Sequence, residues 1–308
     1  MDEKYFGAPS RTIVITMKEY KQYLVNSFAE KGLRGNPAAV CILEKQAGWP
    51  DVADMQAIAK VNNLSETAFC LPIVDDALSL QFEIRWFTPG CEVDLCGHAT
   101  LATAYILFLH YFPHSKQLFF NSRSGRLTVS KDADFILTMD FPAYSLTEVT
   151  ERDEIEAVKN AIGEVSYIEI YKGIDYVVVF ENEDDVISFK PDFNSISALP
   201  GSYNLLITAA AAKEKNKGKR PFEYDFLSRC FFPKEAINED PVTGSAHSSL
   251  APLWASKLGK NKLTAYQASE RGGLLHLQFI ENEVSDLCAP NNSPPLSRVQ
   301  IGGLATTE

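Results

Sequence analysis

Two short stretches of sequence decide the fold: Cys96-Gly97-His98-Ala99 and Thr243-Gly244-Ser245-Ala246. Each follows a β-rich run and a proline, and each leads into an apolar pattern with helical spacing, predicted over residues 98–109 and 245–258. The two glycines are 147 residues apart, and at the same offset each helix is followed by a Ser-x-x-Gly turn that leads into a strand. This recurrence of elements in the same order predicts a tandem duplication.

The duplication accounts for the length of the chain. Its 308 residues favour two domains over one, and the predicted halves are residues 1–143 and 144–308. Strand patterns predominate; from Leu80 to Trp86, for example, apolar and polar residues alternate strictly. Helical patterns are fewer, so the helices must pack on or inside the sheets. The predicted fold class is α+β.

Composition and charge exclude several kinds of partner. The chain has 29 basic against 40 acidic residues and a net charge of −11, which gives phosphate-backbone binding no general support. The longest nearly apolar stretch, residues 101–112, is shorter than the roughly 20 residues of a membrane-spanning helix. The N-terminus does not look like a secretory signal, and six cysteines without a CxxC pair indicate reduced thiols. We expect a cytoplasmic protein with no nucleic-acid or membrane partner.

The two predicted helix starts are suited to hold an anion. Gly97 and Gly244 place unpaired backbone N–H groups where the helix dipole favours negative charge, and glycine permits close approach of a ligand. For either stretch alone, a glycine that only eases a tight turn and a Ser245 that only caps its helix would be the better interpretation. Because the feature occurs twice, we expect a small carboxylate as substrate, held between the two helix starts.

Three side chains near these turns are of the types that proton transfer requires. His98 can act as acid or base near neutral pH, Asp240 precedes the second turn, and Glu66 is a charged residue inside an otherwise apolar segment. An alternative stays open for each carboxylate. Glu66 could face water on an edge strand, and Asp240 could be a helix-start charge satisfied by the dipole.

Other kinds of site have little support. Cys91, Cys96 and His98 match no common zinc pattern and lack a fourth ligand, so we expect no metal. Neither a Gly-x-Gly-x-x-Gly nor a Walker loop occurs, which leaves a nucleotide cofactor unsupported. We therefore expect the protein to work without a cofactor.

The motifs in combination resemble the phenazine-biosynthesis-like (PhzF) isomerase family over about residues 20–280, and most closely its eukaryotic branch, also called MAWD-binding proteins. They are Arg34-Gly35-Asn36-Pro37-Ala38-Ala39-Val40, Asn63-Leu64-Ser65-Glu66-Thr67-Ala68-Phe69, Arg85-Trp86-Phe87-Thr88-Pro89, Cys96-Gly97-His98-Ala99-Thr100 and Glu239-Asp240-Pro241-Val242-Thr243-Gly244-Ser245. The resemblance implies a diaminopimelate-epimerase-like fold, with two pseudo-symmetric halves, each a β-barrel around a central helix, and an active site in the cleft between them.

The resemblance also implies roles for single residues. It makes Glu66 the catalytic acid/base of an isomerase that moves a proton between carbons of a carboxylate-bearing substrate without a cofactor. It places His98, Asp240 and Ser245 at assisting catalytic positions. Gly97 and Gly244 would bind the substrate through their N–H groups, and Asn36 would line the cleft.

Two other functions stay open. Racemases of the same fold use a cysteine at each helix start; Cys96 occupies the first position, but Thr243 occupies the second, and its hydroxyl is a poor base. Resemblance to the MAWD-binding branch implies a protein partner, so a non-catalytic interaction protein is the other alternative.

Related enzymes also pair as homodimers. The tail, residues 301–308, is short for the strand that usually ends these chains, which leaves closure of one barrel open.

Overall fold

The computed structural model describes residues 10–15, 18–73, 80–212, 221–282 and 297–307. They form two compact units. The first contains the residues up to Asp140 together with those from Gly302 onward, and the second is Phe141–Ile301. Within these described ranges, each helix is too short or too polar to cross a bilayer.

The first unit consists of strands around one buried helix. Its helices are α1 (Val52–Asn62) and α2 (Gly97–Ile106), and a wider, π-type turn continues α2 over Leu107–Tyr111. Its strands are β1 (Ser10–Ile15), β2 (Lys18–Ser27), β3 (Asn36–Ile42), β4 (Glu66–Pro72), β5 (Gln81–Phe87), β6 (Glu92–Val93), β7 (Gln117–Ser122), β8 (Gly125–Lys131), β9 (Leu137–Pro142) and, from the end of the chain, β19 (Ala305–Thr307).

The strands of the first unit form a continuous ladder. The antiparallel pairs are β2–β3, β4–β5, β7–β8 and β8–β9, and the parallel pairs are β3–β4 and β5–β7. Helix α2 contacts β2, β3, β4, β8 and β19. It is buried over almost its whole length, and small residues such as Ala99, Ala102 and Ala104 face the surrounding strands. A helix that is apolar all round is stable only when it is enclosed, so the barrel supplies what the sequence of α2 requires.

The C-terminal tail closes this barrel. Ala305–Thr307 pair with β2, with Ala305 opposite Ser27. At the other end of the ladder, a Cβ added to Gly302 would lie 2.7 Å from Thr138 Oγ1 and 3.0 Å from Leu137 O, so the tail passes tightly against β9. The sequence left closure of one barrel open, and the pairing of Ala305–Thr307 with β2 shows that the tail supplies a strand to the first unit.

The second unit repeats this plan. Its helices are α3 (Arg152–Ile162), α4 (Glu183–Ser188), α5 (Phe193–Ser197) and α6 (His247–Leu258). Its strands are β10 (Thr147–Glu148), β11 (Tyr167–Lys172), β12 (Tyr176–Phe180), β13 (Leu205–Ala210), β14 (Phe226–Phe232), β15 (Ile237–Asp240), β16 (Lys262–Gln267), β17 (Gly273–Ile280) and β18 (Arg298–Gly303), the last of which runs on into the residues of the first unit.

The strand pairings of the two units match in order and sense. In the first unit β2–β3, β4–β5, β5–β6 and β7–β8 are antiparallel, whereas β3–β4 and β5–β7 are parallel. In the second, β11–β12, β13–β14, β14–β15 and β16–β17 are antiparallel, whereas β12–β13 and β14–β16 are parallel. These matched pairings confirm the predicted duplication and the α+β class.

The helix that follows the second turn begins later than its sequence pattern indicates. The predicted start was residue 245, but Gly244 to Ala246 form a tight turn and α6 begins at His247. The His247 N–H donates to Gly244 O at 3.0 Å, which is the tighter i to i+3 spacing common at helix ends. This turn matters for the site described next, because it begins four residues after Asp240.

Candidate functional site

Glu66 is the first residue of β4 and is held in the interior of a sheet. Strand β4 pairs with β3 on one side and with β5 on the other, so it is not an edge strand. Only 12% of the Glu66 side chain is exposed. The alternative that Glu66 faces water from an edge strand is therefore wrong.

His98, the second residue of α2, lies beside Glu66. Its Nε2 atom is 3.0 Å from Glu66 Oε2, and its Nδ1 atom is 3.6 Å from the Sγ of Cys96, a free and buried thiol. The imidazole is itself buried. Glu66 Oε2 and His98 Nε2 are both buried, and neither makes a well-aligned hydrogen bond with a described residue, so the 3.0 Å contact between them is an electrostatic one. We call Glu66, Cys96 and His98 the Glu66 cluster.

The protonation states of the cluster follow from these contacts. Burial alone would lower the pKa of His98, but the Cys96 sulfur and the Glu66 carboxylate beside it more than compensate, so its pKa lies well above the ordinary value of 6.5. Burial raises the pKa of Cys96, and the negative charge of Glu66 raises it further. Both pKa values shift upward, so His98 and Cys96 each hold a proton more tightly than they would in water.

Polar side chains behind His98 hold it in place. Asn36, fully buried at the start of β3, brings its Nδ2 to 3.4 Å from His98 Nδ1, and the Ser65 hydroxyl donates to Asn36 Oδ1 at 3.4 Å. The Ser27 hydroxyl donates to the backbone oxygen of His98 at 2.7 Å. Asn36, which the resemblance placed as a substrate-binding residue, thus contacts the ring of His98. Ser27 and Ser65 were not singled out in the sequence, since a lone serine in a strand or turn has no distinguishing pattern.

The Glu66 cluster is also a group of side chains that could hold a metal. One ligand atom from each of Glu66, Cys96 and His98 lies within 4.8 Å of the others. No fourth side chain of this kind joins these three within the described part of the chain. The absence of a metal stays a prediction.

The second predicted group of site residues lies at the turn that leads into α6. Asp240 ends β15, and its Oδ2 accepts a 2.5 Å hydrogen bond from the Thr243 hydroxyl. Gly244 is buried and Ser245 is exposed. Among the described side chains, none caps the start of α6, which contradicts the alternative that Ser245 merely caps this helix.

Two further residues at this turn were missed in the sequence. Gln267, at the end of β16, and His247, the first residue of α6, are both completely buried. Gln267 contacts Asp240 and Thr243, and His247 lies 2.7 Å from the backbone oxygen of Thr243 through Nδ1. Burial lowers the pKa of His247 to about 4, so its ring is neutral. The available signal for His247 was the repeat itself, because it lies 147 residues after Thr100, which contacts the corresponding oxygen of Cys96 at 2.6 Å.

A repeated ion pair anchors both turns. Arg85 on β5 donates two hydrogen bonds to the Glu92 carboxylate on β6, at 2.7 and 2.8 Å. Arg229 on β14 donates two hydrogen bonds to the Glu239 carboxylate on β15 in the same way, at 2.7 and 2.9 Å. Such bidentate pairs fix geometry as well as adding energy. Each therefore holds in place the short strand that precedes a helix start.

A cavity of about 490 Å³ occurs elsewhere in the second unit, between the 144–151 segment, the start of α3 and residues 172–174. It is lined by Tyr144 and Tyr203 and by the ion pair of Lys172 with Glu154. None of its lining residues was singled out in the sequence, and its one lysine is already paired. We assign it no role.

Proteins similar to this chain occur in bacteria and animals. A Pseudomonas aeruginosa protein named as an uncharacterized isomerase is 43% identical over 253 residues, covering 82% of this chain and 88% of that protein. The human phenazine biosynthesis-like domain-containing protein is 36% identical over 268 residues, covering 83% of this chain and 91% of that protein. The resemblance to this family stated from the motifs is thus confirmed, and eukaryotic proteins are among the relatives.

Solved structures agree with these relatives. A phenazine biosynthesis protein of the PhzF family from Enterococcus faecalis has a TM-score of 0.76 at 41% identity, covering 94% of this chain and 96% of its own. A probable proline racemase from Agrobacterium radiobacter has a TM-score of 0.55 at 10% identity, covering 93% and 90%, and shows the fold alone. The predicted diaminopimelate-epimerase-like fold is confirmed. The family model described as "phenazine biosynthesis-like protein" matches residues 25–308. This chain therefore belongs to the phenazine biosynthesis-like (PhzC-PhzF) family.

Proposed function

We propose that the protein is a cofactor-independent isomerase that moves a proton between carbons of a small carboxylate-bearing substrate. The observation that carries this proposal is the 3.0 Å contact between the Glu66 carboxylate and the buried His98 imidazole. A carboxylate in a protected site, next to a group that stays protonated, is suited to take a proton from carbon and to return it. Membership in a family whose relatives include proteins named isomerases supports the same reaction class.

In this mechanism Glu66 is the acid/base. Its carboxylate removes an acidic proton from one carbon of the substrate, and the electron pair of the broken C–H bond moves into the adjacent unsaturated system. The Glu66 carboxylic acid then delivers the same proton to a second carbon, where a new C–H bond forms. Atoms and electrons balance without an oxidant or reductant.

His98 acts as a catalytic partner of Glu66. While Glu66 is ionised, the imidazolium beside it stabilises the carboxylate. Once Glu66 has taken the proton, the same positive charge favours release of that proton to the substrate, because release restores the ion pair. We propose that Asn36 positions the ring of His98, which it contacts, and does not bind the substrate directly.

The remaining proposed residues bind or assist. The backbone N–H groups of Gly97 and Gly244 are proposed donors to the substrate carboxylate, since Gly97 begins α2, Gly244 lies in the turn before α6, and helix dipoles favour an anion at this end. Asp240 and Ser245 are proposed to assist the proton transfer, on the basis of their places in the family's motif. The net charge of −11 makes such local donors necessary, because the overall field of the protein repels an anionic substrate.

A two-stage experiment tests this function. Small cyclic and amino-acid carboxylates are first screened for thermal stabilisation of the protein. Those that stabilise it are then incubated in deuterium oxide, and incorporation of deuterium at carbon is followed by NMR. We expect the wild-type protein to exchange at least one of them and Glu66→Gln to abolish that exchange.

Cys96→Ser is the matched control, because it changes a neighbour of His98 but leaves the proposed base in place. We expect it to retain most of the activity. The reverse result, with Cys96→Ser inactive and Glu66→Gln active, would place the protein with the cysteine-dependent racemases. If no stabilising carboxylate exchanges in the wild type, the proposal fails and the non-catalytic interaction protein becomes the better interpretation.

A further inference from the structure

Thr243 corresponds to Cys96 at the 147-residue offset of the repeat, and its contacts differ from those of the thiol. Its hydroxyl donates to Asp240 Oδ2 at 2.5 Å and accepts from Gln267 Nε2 at 3.1 Å. Only 7% of Thr243 is exposed. The hydroxyl is thus engaged as donor and as acceptor with side chains of its own unit.

Gln267 determines the direction of these hydrogen bonds. Its Nε2 can only donate, and it donates both to Asp240 O, at 2.8 Å, and to the Thr243 hydroxyl. Its Oε1 accepts the Thr243 N–H at 2.8 Å. Because the hydroxyl oxygen receives a hydrogen bond from Gln267, its own hydrogen is left to point at Asp240. Oδ2 of Asp240 is consequently kept as an acceptor.

His247 and Ser228 hold the next peptide in the chain. The neutral ring of His247 donates through Nδ1 to Thr243 O at 2.7 Å, and its Nε2 lies 3.4 Å from the Ser228 hydroxyl. The peptide that contains Thr243 O also contains the Gly244 N–H, which points to the opposite side. The turn is therefore fixed on both sides of Thr243 by completely buried side chains of the second unit.

We propose that Thr243 and Gln267 are positioning residues that orient the Asp240 carboxylate for the proton transfer. The role rests on the proposed function, since it assigns a task to the same set of catalytic residues. It also explains how a threonine can replace the second thiol without becoming a base. In each unit the residue at this position contacts a nearby acid/base group. Cys96 contacts His98, and Thr243 contacts Asp240.

The test compares Thr243→Val, which removes the hydroxyl at nearly constant volume, with Thr243→Ser, which retains it. The first readout needs no substrate: the ¹³Cγ resonance of Asp240, identified by its loss in Asp240→Asn. We expect this resonance to shift in Thr243→Val and in Gln267→Met, and to stay at its wild-type position in Thr243→Ser. If it does not move in Thr243→Val, the proposed orientation of Asp240 is wrong.

The second readout is kinetic and uses a carboxylate found to exchange in the screen above. A hydrogen bond to a charged group of this kind predicts a decrease in kcat of about 10- to 100-fold in Thr243→Val, with little change in KM. Thr243→Ser should stay within about threefold of the wild type. An equal loss in both variants would indicate a packing role and would overturn the proposal.

A third variant covers the case in which Thr243→Val does not fold. Thr243→Cys keeps a weak donor of similar size, so we expect its kcat to lie between those of the valine and serine variants. The two proposals fail in different ways. Absence of exchange in the wild type contradicts the isomerase while the resonance of Asp240 still reports its orientation; an unmoved resonance in an active enzyme contradicts the positioning role alone.

Discussion

Glu66 and His98, which are 32 positions apart in the sequence, meet through an Oε2 to Nε2 distance of 3.0 Å inside the first unit. Neither residue has this neighbour by local structure, because one begins β4 and the other lies in the first turn of α2. The parallel pairing of β3 with β4 brings Glu66 to the level of Ala38, and α2 contacts both strands. The contact is thus a product of the barrel closing around its helix.

The contact between Glu66 and His98 predicts a stability that depends on pH. The folded-state pKa of His98 is raised above 6.5, so its contribution to the free energy of unfolding is present in full below pH 6.5 and is lost as the pH rises through the folded-state value. We expect the free energy of unfolding of the wild type to exceed that of His98→Gln by more at pH 6.5 than in alkaline buffer. Urea unfolding at several pH values measures this difference. A difference that stays constant with pH would mean that His98 is not charged in the folded protein.

His247 predicts the opposite dependence. Its folded-state pKa is lowered to about 4 by burial, so the unfolded chain binds a proton at this residue before the folded protein does. The contribution of His247 to the free energy of unfolding is therefore present in full above pH 6.5. It is lost as the pH falls towards 4, and the loss is about 3 kcal/mol at most.

Replacement of His247 by Gln, whose amide can also donate to Thr243 O, should flatten the acid side of the stability curve and lower its plateau. Urea unfolding of both proteins from neutral pH downward provides the measurement. Curves that remain parallel below pH 6.5 would show that His247 is not responsible for the loss.

The repeated arginine pairs predict unequal costs for the same substitution. Arg229→Lys loses the bidentate contact with Glu239 and also hydrogen bonds from Nη1 to Val186 O, at 3.2 Å, and to Phe189 O, at 2.6 Å. Broken buried ion pairs typically cost about 3–5 kcal/mol, and a lysine keeps the positive charge but loses the planar set of guanidinium donors, so we expect a loss of about 2–4 kcal/mol.

Arg85→Lys is the matched control. The side chain of Arg85 is 20% exposed, against 10% for Arg229, and Arg85 donates to Glu92 through the two hydrogen bonds of the bidentate pair. Arg123 also contacts Glu92 at 2.9 Å and remains after the substitution. We expect a loss of about 1 kcal/mol in urea unfolding. Equal losses in the two variants would contradict the importance of the carbonyl contacts of Arg229.

Closure of the first barrel predicts that Gly302 tolerates no side chain. A Cβ at this position would lie 2.7 Å from Thr138 Oγ1 and 3.0 Å from the backbone oxygen of Leu137. Backbone must then move, and such overpacking costs about 1–3 kcal/mol. Gly302→Ala should therefore lower the free energy of unfolding by that amount.

Gly90→Ala is the control for this substitution, since its added Cβ would meet one atom, Thr88 Oγ1, at 3.8 Å. We expect its free energy of unfolding to stay within about 0.5 kcal/mol of the wild type. If Gly302→Ala is equally neutral, the tail does not pass β9 as closely as described.

The amino-acid sequence by itself was sufficient for everything that depends on local pattern and on repetition. The recurrence of Gly97-His98-Ala99 as Gly244-Ser245-Ala246 predicted the duplication, because the two halves retain the same order of elements. Alternation of apolar and polar residues predicted strands such as β5, and the motifs around Glu66 and His98 led to the correct family.

Only the tertiary structure decided which side chains meet. The hydrogen bond between Gln267 and Thr243 and the contact of the C-terminal tail with β2 both join residues that are distant in the sequence. A hydrogen bond from Gln267, which ends a strand 24 residues after Thr243, has no periodic signal in the sequence. Sequence patterns record which face of an element is buried, whereas the position of each donor and acceptor is set by how the barrel packs around its helix.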